Sequence, residues 1–101
     1  MKRVKITVMA RAIHQELIDK YENPITHACE MEVGDEFVSV EAQCPKDFCQ
    51  SAWQNIYPFV FALSCGGEDL YDGWMKNKKS AMISCNDGFR PVSYYIEALD
   101  D

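Results

Sequence analysis

Two stretches of strictly alternating side chains, one near each end, constrain this chain most. Val4, Ile6, Val8 and Ala10 alternate with Arg3, Lys5, Thr7 and Met9, the period of two that sends every second side chain to one sheet face. Near the other end, Ala81, Ile83 and Cys85 alternate with Met82 and Ser84, and Val92, Tyr94 and Ile96 alternate with Ser93 and Tyr95. Asn86-Asp87-Gly88-Phe89-Arg90-Pro91 lies between these last two runs and has the chemistry of a reversing loop, so they read as a C-terminal β-hairpin. Strands with one apolar face need a cover, and the intervening sequence offers helical patterns to supply it.

Ile13, Leu17, Ile18 and Tyr21 form the first helical stripe, ended by Asn23-Pro24. Val33-Gly34-Asp35-Glu36 reads as a turn feeding a strand over residues 37–42. A loop containing Cys44, Pro45 and Asp47, the last as an expected cap, then leads into a second helix beginning near Cys49. Trp53, Ile56, Tyr57, Val60, Phe61 and Leu63 give that helix a broad apolar face. Pro58 within it predicts a kink or two abutting short helices, and Gly66-Gly67 suits its C-terminus. An acidic loop over 68–79 follows, with Trp74 and Met75 as candidate anchors. The order strand-helix-strand-helix-hairpin predicts an α+β fold over residues 1–101 as a single domain. Its expected parts are a four-stranded, mainly antiparallel sheet, two helices covering one face, and a C-terminal β-hairpin.

Charge narrows the partners. Sixteen acidic residues against ten basic ones give a formal charge of -6, a field that repels a phosphate backbone or an anionic bilayer. Lys76, Lys78 and Lys79 are the one local basic group, and such a group also fits a solvated edge. No segment approaches the roughly 18 apolar residues of a membrane span. The start, Met1-Lys2-Arg3-Val4-Lys5-Ile6, alternates instead of entering an apolar run, which is the pattern of a strand and not of a signal peptide. The expectation is a cytoplasmic protein with reduced thiols, and an odd number of cysteines agrees with it.

Those cysteines are Cys29, Cys44, Cys49, Cys65 and Cys85, and none forms a Cys-x-x-Cys pair. Cys29 precedes a strand, Cys49 opens a helix and Cys85 ends a hairpin strand, so the three could converge at one edge of the sheet. Three thiolates, with His27 or Cys44 as a fourth donor, would suit zinc or an iron–sulfur centre. Buried cysteine also packs as a small hydrophobe, and Cys65 and Cys85 fit that use. Cys49 at a helix start is the candidate reactive thiol, with His14 and His27 as the imidazoles available to it. Asp87 and Arg90 in the hairpin loop could hold a carboxylate-bearing ligand, or Arg90 could pair within the protein. Trp53, Tyr57, Phe59 and Phe61 could line an aromatic pocket or serve as core.

Four segments together resemble a family of uncharacterised prokaryotic proteins of about this length. They are Lys2-Arg3-Val4-Lys5-Ile6-Thr7-Val8; the stretch from Cys29 through Gly34 to Phe37; Phe48-Cys49-Gln50-Ser51-Ala52-Trp53 with Ile56-Tyr57-Pro58 and Gly66-Gly67; and Cys85-Asn86-Asp87-Gly88-Phe89-Arg90-Pro91-Val92. The resemblance implies that Cys29, Cys49 and Cys85 are the family-type cysteines, while Cys44 and Cys65 are particular to this chain. Glu30 after Cys29 and the longer loop around residues 68–72 depart from the pattern, and no activity comes with the family. The resulting expectation is a small cytoplasmic binding protein with metal ligands Cys29, Cys49 and Cys85, ligand-binding residues Arg90, Asp87 and Trp53, and zinc or an iron–sulfur centre as candidate cofactor. Two alternatives stay open: a thiol-dependent redox enzyme using Cys49, and a non-catalytic subunit of a homo-oligomer or protein complex with structural cysteines.

Overall fold

The alternating runs become three adjacent strands of one antiparallel sheet, two of them central. A computed structural model describes residues 1–100. Its strands are β1 (Val4–Arg11), β2 (Glu36–Ser39), β3 (Ser80–Ser84) and β4 (Val92–Ala98), in the order β2-β1-β4-β3 with every neighbour antiparallel. Ile6 sits opposite Ile96 and Ile83 opposite Tyr94, so the apolar phases of the three long strands coincide. Val4, Ile6, Val8, Ala81, Ile83, Tyr94 and Ile96 consequently share one buried face.

The helix α2 (Gln50–Ser64) covers that face with Ala52, Ile56, Val60 and Leu63, all fully buried. Full burial of a single aliphatic side chain of this kind is worth about 1.5–3 kcal/mol, so this sheet–helix seam dominates the stability of the fold. α2 runs through Pro58 as one continuous helix and does not divide into two. Pro58 and Gln54 are both exposed, so water can satisfy the Gln54 carbonyl that proline leaves without its helical donor. The C-terminus closes as a Schellman motif: Gly67 N–H donates to the Ala62 carbonyl at 2.8 Å and Gly66 N–H to the Leu63 carbonyl at 3.0 Å. Gly66 has φ +90°, and a Cβ on Gly67 would stand 2.7 Å from the Ala62 oxygen, so both glycines are required there.

Three local expectations change. The strand expected over 37–42 ends at Ser39, because Glu41 and Ala42 adopt left-handed backbone with φ 54° and 53° and turn the chain away. Asp47 also has φ +65° and does not cap α2; Cys49 occupies the N-cap position. The first helix, α1 (Gln15–Tyr21), buries none of its residues, so α2 alone covers the sheet. Ile13, Leu17 and Tyr21 are exposed, and Ile18 is half-buried. α1 is instead fixed to the hairpin loop, by His14 N–H donating to the Phe89 carbonyl and by an ion pair between Glu22 and Arg90. No helix among the described residues is long and apolar enough to cross a membrane.

Candidate functional site: a cavity walled by three thiols

The alternation that builds the core continues past it at one end of the sheet. Cys85 is the next in-phase position after Ile83, and it faces Val92 across the mouth of the hairpin. Its N–H donates to the Val92 carbonyl at 2.9 Å, and Val92 N–H donates back to Cys85 Sγ at 3.2 Å. Cys49 arrives at the same end as the N-cap of α2. Cys29 comes from the loop before β2, where its Sγ accepts Met31 N–H at 3.4 Å and its carbonyl accepts Arg11 Nη2 at 3.0 Å. The three sulfur-bearing residues line one cavity of about 350 Å³, together with Tyr94, Asp87 and Arg90. A neighbouring depression shares Cys29 and Cys49 and adds Glu30, Asp35 and Asp47, so the surroundings on that side are acidic.

The three cysteines therefore meet at one cavity, but not as a preformed ion site. A zinc ion draws its sulfurs to about 2.3 Å from a single point. Among the described residues, no three His, Cys, Asp or Glu side chains form a group that could hold a metal ion. The reason is local. Cys29 and Cys85 are each tied by their sulfur to a nearby backbone N–H, and Cys49 is held by the start of α2, so each thiol is positioned by its own local contacts and not by a shared ion. Neither proposed fourth donor joins them. His27 is exposed, with Nδ1 3.4 Å from Thr26 Oγ1. Cys44 lies outside the lining, donates to the Pro45 carbonyl at 3.6 Å and accepts Gln50 Nε2 at 3.5 Å. Burial pushes the Cys44 thiol up, with Cys49 adding to the effect and the Gln50 bond opposing it. Cys65 is exposed, just beyond α2.

The ligand-binding residues expected from sequence separate. Arg90 lines the cavity, but its Nη1 and Nη2 donate to the two Glu22 oxygens at 3.0 and 2.8 Å, a fork that commits the guanidinium to the protein. That bond raises Arg90 further above its usual range. Asp87 also lines the cavity, and its Oδ1 accepts the N–H groups of Phe89 and Arg90, holding the loop in shape. Trp53 is not part of the lining. It packs edge-on against Phe48 and tilted against Tyr57, with centroids 6.2 and 5.4 Å apart. Tyr57 and Phe61 are exposed, and Phe59 packs against Tyr71, so the helix aromatics stand apart from the thiol-lined cavity.

One residue of the site escapes a reading by motif. Tyr94 is fully buried, and its hydroxyl finds no hydrogen-bond partner among the described residues. Burial pushes its phenol up, and Cys29, Cys85 and Cys49 each add to that, so the hydroxyl sits in the field of all three thiols as a protonated donor. A signal for it was present in the sequence. Tyr94 occupies a core-phase position between Val92 and Ile96, where a buried hydroxyl demands a partner that an aliphatic side chain would not. Comparison with protein-family models, with curated proteins and with solved structures found no match to the chain.

Proposed function

We propose that this chain is a small binding protein that holds a thiophilic ligand in the cavity between Cys29, Cys49 and Cys85. The observation that carries the reading is that Cys29, Cys49 and Cys85 line one space whose buried Tyr94 hydroxyl has no partner among the described residues. A buried donor left without an acceptor costs free energy, and a ligand that supplies the acceptor recovers it. Binding is favoured over thiol catalysis because the two imidazoles, His14 and His27, are exposed and neither lines the cavity to take a proton from a thiol. Five free thiols suit a reducing compartment such as the cytoplasm, and the charge of -6 argues against a nucleic-acid partner.

Native mass spectrometry of anaerobically isolated protein tests this reading. The expected result is a mass above that of the chain, lost in Cys29→Ser, Cys49→Ser and Cys85→Ser but kept in Cys65→Ser. With the ligand bound, iodoacetamide should modify Cys65 well before the three cavity thiols. A bare chain whose cavity thiols react as fast as Cys65 would refute the proposal.

A further inference from the structure

We infer that the start of α2 makes this cavity a subsite for a carboxylate, held by the Ser51 and Ala52 N–H groups and the Tyr94 hydroxyl. The inference rests on the binding role proposed for the same cavity and names the chemical class of what is bound, a small carboxylic acid whose other end meets the thiols.

The donors follow from how α2 begins. Its first backbone bond runs from Trp53 N–H to the Cys49 carbonyl at 2.9 Å, so the N–H groups of residues 50–52 precede the helical ladder. A Ser, Thr, Asp or Asn at the N-cap would satisfy one of them. Here the N-cap is Cys49, it makes no side-chain cap bond, and the first turn holds no acidic residue. Ser51 and Ala52 both line the cavity, which brings two open donors and the positive end of the helix dipole to its wall. A helix start alone is satisfied by water. The second, independent pointer is Tyr94, which lines the same cavity from β4, has no exposed surface, and finds no acceptor for its hydroxyl among the described residues.

Charge sets the class of the missing acceptor. Arg90 is committed to Glu22 and is not available as a clamp. Arg11 keeps its charge: its Nη2 bonds the neutral Cys29 carbonyl, no carboxylate pairs with it among the described residues, and its field reaches the Tyr94 hydroxyl. Asp87 in the lining, with Glu30, Asp35 and Asp47 in the neighbouring depression, opposes a second negative charge on the ligand. A singly charged carboxylate suits that balance better than sulfate or phosphate, and its two oxygens can divide between the helix start and the hydroxyl.

Paired alkylation tests the subsite on protein freed of bound ligand. Iodoacetate and iodoacetamide react alike: the thiolate forms a carbon–sulfur bond as the carbon–iodine bond breaks and iodide leaves. Of the two, iodoacetate alone carries a carboxylate. Peptide mapping gives the ratio of the two rates at each cysteine, and exposed Cys65 supplies the reference. At Cys49 the ratio should exceed that at Cys65 by about tenfold, saturate with reagent, and fall with acetate more than with sulfate or phosphate at equal ionic strength. Tyr94→Phe should remove most of the excess. Cys49→Asp places a capping carboxylate on the same N–H groups, so it should fold at least as stably as Cys49→Ala. It should nevertheless lose the shifts that acetate causes in the Ser51 and Ala52 amide resonances, whereas Cys49→Ala keeps them. The two variants separate the subsite from the thiol reading, because binding through the Cys49 thiol would be lost in both. A ratio at Cys49 no higher than at Cys65, or acetate shifts absent from Cys49→Ala, would overturn the carboxylate subsite and leave the native-mass test of the binding role unaffected. Stronger competition by sulfate or phosphate than by acetate would overturn the assignment to a carboxylate.

Discussion

Replacing Tyr94 by phenylalanine removes one oxygen from a side chain with no exposed surface, and that oxygen serves no other described group. A buried polar group without a partner costs about 1–3 kcal/mol, which the substitution relieves. The small void left behind forfeits some dispersion contacts and offsets part of the gain. In ligand-free protein the net expectation is stabilisation by about 1 kcal/mol, or a rise in Tm of roughly 4–8 °C for a domain of this size. A second signature lies at alkaline pH. Burial raises the Tyr94 phenol above its ordinary value of about 10, so the folded state keeps a proton that the unfolded chain gives up. This contribution to stability is therefore complete below roughly pH 10 and declines above it, by at most about 1.4 kcal/mol per pH unit. Tyr94→Phe lacks that decline, while Tyr71, also raised by burial, contributes it equally to both proteins. Urea denaturation at neutral pH and at stepwise higher pH measures both effects. With the cavity filled the sign at neutral pH reverses, since the substitution then removes a bond made only in the bound state. If Tyr94→Phe instead destabilises the ligand-free protein by about 1 kcal/mol or more at neutral pH, the hydroxyl already has a partner and the reasoning fails.

Three further outcomes are expected. Gly66→Ala should cost about 1–2 kcal/mol for its left-handed backbone, and Gly67→Ala more, because its Cβ would meet the Ala62 carbonyl; equal or negligible losses in urea midpoint would contradict the Schellman closure. Cys44 should alkylate several-fold more slowly than exposed Cys65 at mildly alkaline pH, since burial raises its thiol and lowers its thiolate fraction; a Cys44 rate profile centred at or below that of an ordinary thiol would contradict the assignment. Glu22→Gln should break the fork to Arg90 and speed hydrogen exchange in α1 with little change in global stability, because α1 buries no residue; unchanged α1 protection would show that the helix is held by other means.

The fold was legible where a single physical rule decided it. Period-two alternation fixed β1, β3 and β4 and the hairpin, and the broad stripe with Gly66-Gly67 fixed α2. Where two rules competed, composition misled. The stripe of Ile13, Leu17 and Tyr21 has the spacing of a core-facing helix, yet the helix buries none of its residues and is held by Glu22 and His14 instead. Glu41, Ala42 and Asp47 take left-handed backbone that no glycine announces. In the site, element ends bring Cys29, Cys49 and Cys85 to the lining of one cavity, but the metal-holding group that the sequence suggested does not form among the described residues. The sulfurs' attachments to Met31 and Val92 are backbone contacts across turns and strands, and side-chain pattern alone does not encode them. Arg90 reads as a ligand clamp in sequence because its partner, Glu22, is 68 residues away.

The site cannot be detached from the sheet that carries it. Cys85 and Tyr94 face the cavity because they extend the same phase that buries Ile83 and Ile96, in a register pairing Ile83 with Tyr94 and Ser84 with Ser93. A slip of one residue between β3 and β4 would turn the apolar set of the slipped strand to the opposite face, and Cys85 or Tyr94 with it. Burial of Ile83, Val92 and Ile96 therefore selects the register that presents the thiol and the hydroxyl together, so hydrophobic packing sets the position of the chemistry. Cys29 is placed differently, by the Arg11 contact to its carbonyl and the Met31 contact to its sulfur, on a loop with no strand to constrain it. Of the three thiols it is the one carried by a loop and not by the helix or the hairpin. Closure of the cavity around a ligand should thus show first as slowed exchange at Cys29 and Met31, with the β3–β4 hairpin unchanged.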